Sequence, residues 1–133
     1  MALAALLTLV SVTPVAAAVA WTLVANPLAT TTGTPTTFTL TATNLLLGQI
    51  RCLWVDVPPN FTVAGSTVSG STAGDDWTSR VTGNRVTVWT TSGGDELGLL
   101  GSVDFAVQAT PTSAGNIAWN ARSFDDKECT SGS

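Results

Sequence analysis

Two runs in this chain alternate apolar and polar residues without a slip. In Thr36–Asn44 (TTFTLTATN), Phe38, Leu40 and Ala42 share one parity, while Thr37, Thr39, Thr41 and Thr43 take the other. In Ser102–Thr110 (SVDFAVQAT), Val103, Phe105, Val107 and Ala109 alternate with polar or small residues in the same way. A side-chain period of two means strands with one dry and one wet face. Such strands must cover their apolar faces with a second layer. A two-layer antiparallel β-sandwich is therefore expected, with a closed barrel as the other solution.

The remaining text reads the same way. Ile50–Val57 (IRCLWVDV) is a strand closed by Pro58 and Pro59, which lack the N–H that a ladder needs. Its Leu53, Val55 and Val57 point inward, so Cys52, Trp54 and Asp56 face out. Phe61–Val68 forms a short strand. Trp77–Val81 and Arg85–Thr91 flank Thr82-Gly83-Asn84, a turn signal that makes them a hairpin. Val86, Val88 and Thr90 form its inward set, and Trp89 faces away. Asn116–Phe124 and Trp21–Val24 complete seven to eight strands, and no long stretch carries helical periodicity. The expected core is Phe38, Leu40, Leu53, Val55, Val57, Val86, Val88, Val103, Phe105 and Val107.

Residues 1–20 contain no charged side chain. Their apolar run ends in Ala18-Val19-Ala20, the layout of a secretory signal cleaved before Trp21, although no Lys or Arg follows Met1. An uncleaved anchor and a retained structural segment are the alternatives. The domain then spans residues 21–124, with a tail at 125–133. Two cysteines, Cys52 and Cys129, stand apart from any C-x-x-C pair. Behind a secretory leader they are expected to form one disulfide that ties the tail to the body. The expected location is extracellular or at the cell surface.

With 133 residues, 9 acidic and 5 basic side chains and no His, the chain has no basic cluster to meet a nucleic acid. Histidine catalysis and most zinc or haem sites are excluded, and no cofactor is expected. Ser and Thr are plentiful but lack a base, and the lone Lys127 lies in the tail, outside any core strand. Three acidic pairs, Asp75 with Asp76, Asp95 with Glu96, and Asp125 with Asp126, fall in loops. They are weak candidates for calcium, because no EF-hand spacing joins them; solvated loops are the plainer reading. Asn60-Phe61-Thr62 matches a glycosylation sequon. Trp54, Trp89 and Trp119 lie on three separate strands and could form a platform for a sugar ring or a partner, with Trp54 its most exposed member. Packing in the core or at its ends is the alternative, and Trp21 and Trp77 stand at strand starts.

GTPTTFTLTATN (Gly33–Asn44), VDVPPNFTV (Val55–Val63), GNRVTVWT and LGLLGSVDFAVQAT together resemble the bacterial extracellular immunoglobulin-like repeat modules. The likeness runs through nearly all of residues 21–124. It implies an immunoglobulin-like sandwich used as a spacer, stalk or adhesive unit, without catalytic residues. The expected function is thus a secreted, non-enzymatic structural or adhesive module. A small carbohydrate- or ligand-binding module using exposed Trp is one alternative. A filament subunit is another, with Ala16–Thr36 as the donated strand. Expected partners are surface proteins, glycans or copies of itself, with membrane contact only through an uncleaved leader.

Overall fold

The computed structural model describes residues 4–9, 21–45, 47–114 and 116–130. Every regular element in them is a strand: β1 (Ala4–Leu9), β2 (Trp21–Asn26), β3 (Ala29–Thr31), β4 (Thr36–Asn44), β5 (Cys52–Asp56), β6 (Phe61–Ser71), β7 (Trp77–Thr82), β8 (Arg85–Thr90), β9 (Ser102–Pro111) and β10 (Asn116–Phe124). One sheet has the order β2-β4-β9-β6. The other contains the antiparallel set β10-β5-β8-β7, extended beyond β10 by β1 and then β3. The only parallel pair among them is β1 with β10, in which Leu9 stands opposite Trp119. Of the nine connections, only the β7–β8 hairpin stays within one sheet; the others cross between layers.

The hairpin turns at Gly83, whose φ of 61° is a conformation that glycine enters without a side-chain penalty. Asn84 beside it donates its amide to the carbonyls of Pro58 (2.9 Å) and Phe61 (3.1 Å), fastening the turn to the start of β6. The long edge strand β6 carries register shifts at Val63/Gly65 and Val68/Gly70. Bulges of this kind twist an edge away from further pairing. There the Ser66 hydroxyl donates to that of Ser79 in β7 at 2.9 Å, across the gap between the two sheets.

The apolar faces meet as their parity requires. All ten expected core residues are buried, and β4 and β9 keep strict alternation along their length. Three rings anchor the centre. Trp119 packs edge-on to Phe38 (5.0 Å between centroids) and to Phe61 (5.6 Å), which also face each other. Offset and edge-on ring pairs of this type add about 0.5–1.5 kcal/mol each beyond the area they bury.

Ten strands exceed the seven to eight expected, because β1 and β3 carried no alternation signal. The Trp21 and Asn26 ends of β2 pair with Asn44 and Thr39 of β4, and β3 pairs with β1. The described part of Ala16–Thr36 is therefore built into the molecule's own sheets. It is Ala4–Leu9 that lies inserted between two strands. The Ala18-Val19-Ala20 cleavage site lies outside the described residues.

Candidate functional site

The outward side chains of the β10-β5-β8-β7 sheet form three cross-strand rows. Register places Phe124, Cys52, Trp89 and Thr78 in one row and Arg122, Trp54, Thr87 and Arg80 in the next. Asn120, Asp56, Arg85 and Thr82 make the third. Each strand supplies these positions because its alternate residues, such as Leu53, Val55, Val86 and Val88, are claimed by the core. The arginines lie over the rings. Arg85 stands 3.9 Å from the Trp54 centroid, Arg80 5.5 Å from Trp89 and Arg122 5.1 Å from Phe124. Trp54 also leans on Phe124, with centroids 4.6 Å apart.

Arg85 is held in place from its other side. Its Nε donates to Asp56 Oδ1 at 2.7 Å and its Nη2 to Oδ2 at 3.1 Å, a two-point fork. The hydrogen bond to Asp56 raises the guanidinium pKa, partial burial opposes it, and the carboxylate charge adds to the rise. A raised folded-state value means that the stabilisation is complete below the unfolded pKa and is lost only as pH climbs through the folded one. For an arginine that window lies far above neutrality. Arg80 and Arg122 are exposed, and among the described residues no carboxylate is paired with either. With Glu128 of the tail, Arg80 and Arg85 border a depression of about 240 Å³ over Trp54.

The tail is fixed to this face by a Cys52–Cys129 disulfide with 5.5 Å between Cα atoms. The Asp126 carboxylate accepts the Thr130 N–H at 3.0 Å and the Thr130 hydroxyl as well, closing the tail into a turn. Cys52 is fully covered as a result.

The strand registers gather the loops 44–51, 71–77, 90–102 and 124–130 at one end of the sandwich. Asn44 organises them. It is buried, its side-chain amide donates to the carbonyls of Gly48 and Leu97 (2.8 Å), and its backbone bonds to Gly101 and Leu100. The two loops so joined expose Leu45, Leu47, Leu99 and Leu100, between 42% and 85% accessible. Leu100 has φ 63°, a left-handed conformation that costs a leucine of order 1 kcal/mol.

The structure distributes the candidate residues unevenly. Trp54 and Trp89 share the outer face, but both are half-buried and lie beneath arginines. Trp119 is wholly buried on the opposite side of its strand and does not share that face. The three acidic pairs all lie at the leucine-bearing end. The Asp95 carboxylate accepts the Asp76 N–H at 3.0 Å, and Glu96 faces Arg51 at 4.0 Å. Among the described residues no three ligating side chains converge as a metal would require. Sequence reasoning missed the arginines over the rings and the Asn44 bridge; strand parity hinted at the first, and nothing local signalled the second.

These features define a class: an all-β, two-sheet sandwich with an arginine–aromatic outer face and an acidic, leucine-tipped end. Comparison with protein-family models, with curated proteins and with solved structures finds no match to the chain.

Proposed function

We propose that the protein is a secreted, non-enzymatic structural or adhesive module of the cell surface or extracellular matrix, in the immunoglobulin-like manner. The observation that carries this reading is the outer face, where exposed arginines and aromatic rings converge on a rigid sheet. Such surfaces suit binding by contact, because Arg and Trp give large interaction energies without a reacting group. The disulfide adds support, since such bonds persist in oxidising compartments. The immunoglobulin likeness rests on two packed sheets and their alternating cores. Its usual strand path has several same-sheet hairpins, whereas one occurs here. Stacking of a neutral sugar on Trp54 gains less support, because Arg85 already covers that ring.

Purified protein should be recovered from the export fraction with Cys52 and Cys129 oxidised, and should turn over no substrate. A hydrolase or transferase activity that survives purification and is lost on changing one acidic pair would overturn the proposal.

A second reading, a subunit joined by strand donation, is favoured by one observation: β1 sits between β3 and β10, pairing with both. A chain beginning at Trp21 should then take up a synthetic peptide of residues 4–9. Absence of binding removes that reading.

A further inference from the structure

We propose that the acidic, leucine-tipped end of one copy docks on the arginine–aromatic face of a second copy, joining molecules end to side into open chains. This deepens the surface-module reading by naming a partner, and the two fail separately: turnover would overturn that reading without touching association.

The two surfaces complement each other in charge. All three acidic pairs lie at the loop end, where Arg51 and Lys127 are the only cations. Three of the chain's 5 basic residues, Arg80, Arg85 and Arg122, lie on the outer face, with Asp56 and Glu128 as its acids. Arg85 is taken by Asp56, which leaves Arg80 and Arg122 without a carboxylate among the described residues. Two loop ends would repel each other, and two faces would gain little. An end against a face places unpaired guanidinium groups next to an excess of carboxylates.

They also complement each other in hydropathy. Leu47, Leu99 and Leu100 are more than half exposed, and the face offers the partly covered rings of Trp54 and Trp89. The backbone of Leu100 is strained so that its side chain points from an exposed turn, held there by the bond from its N–H to the Asn44 carbonyl. Within one copy no burial of that side chain offsets the strain. Seating it against an aromatic face does. Because the patches differ, the contact is heterologous, and a repeated heterologous contact that does not close on itself runs on as a chain.

The test is sedimentation equilibrium on the full, oxidised chain and two variants. Wild type should rise in mass with concentration past the dimer, starting from 13.6 kDa, and fall back toward the monomer in high salt. Arg80→Glu/Arg122→Glu alters only the face. Leu47→Ser/Leu100→Asn alters only the end, and asparagine accepts the left-handed backbone better than leucine, so this variant should melt no lower than wild type while losing association. Each variant alone should remain monomeric, and an equimolar mixture should stop at a one-to-one dimer. Wild type that stays monomeric, association that ends at a dimer, or a mixture that stays monomeric overturns the proposal. Monomeric wild type retained on immobilised polygalacturonate but not on dextran would instead assign the face to an anionic glycan.

Discussion

Asn44 shows how one side chain can hold a pole of the molecule. It closes β4, and its side-chain amide donates to the carbonyls of Gly48 and Leu97, adding to the Ile50–Leu97 backbone pair that also joins the two loops. Asn44→Ala removes the side-chain donor to the Gly48 carbonyl and one of two donors to the Leu97 carbonyl, which keeps the Ile50 N–H, at a cost of roughly 1–3 kcal/mol in all. Urea denaturation should show that loss, and amide exchange should show faster opening confined to residues 44–50 and 97–101. At the centre, Phe105 is fully buried between the sheets. Phe105→Ala should cost about 3–5 kcal/mol, read from the denaturation midpoint at unchanged slope. The arginines of the outer face behave differently. Arg80→Glu should leave stability within about 0.5 kcal/mol, because its guanidinium is exposed, has no carboxylate partner among the described residues and lies 5.5 Å from the Trp89 ring. Trp54→Ala should be costlier, since the ring loses contacts with both Phe124 and Arg85.

At the level of elements, legibility follows periodicity. The strands β4, β5, β8 and β9 could be read because a period of two separates their apolar residues from the rest, and the same parity put Cys52 on the outer side where the tail could reach it. The hairpin at Gly83 was legible from its turn residues. β1 was not, because an Ala/Leu run has no alternation and reads as a leader whatever it pairs with. Nor was the stacking of Arg85 on Trp54, which depends on the register of β5 against β8, set by distant residues. Trp119 was ambiguous for a related reason: a tryptophan on a strand suits a platform and a core alike, and only the packing of the second sheet decides between them. Two substitutions test this level. Gly74 has φ 138°, and a Cβ there would meet the Asp95 carboxylate at 2.4 Å. Gly74→Ala must shift the Asp95 carboxylate that accepts the Asp76 N–H and hold alanine at a φ it rarely adopts, with an expected loss of more than about 1 kcal/mol. Cys52→Ser should lower stability by about 2–4 kcal/mol, since the bridge spans 77 positions. The sandwich should persist by circular dichroism, with the tail released.

The molecule as a whole is polarised. One end gathers the acidic pairs and four exposed leucines, while the turns at the other, around Pro27, Gly33, Pro58, Gly83 and Pro111, contain no charged residue. Between them lies the arginine–aromatic face, to which the tail is bonded. A body of this kind offers rigid surfaces, and the function proposed for it follows from what those surfaces can touch. The most direct test is retention of the protein at the cell surface, comparing wild type with Arg80→Glu/Arg122→Glu after both are shown to melt alike. Wild type is expected to fractionate with the surface or matrix and the double variant to be released into the medium. Equal retention of the two, or equal release, would contradict the assignment of the outer face as the working surface.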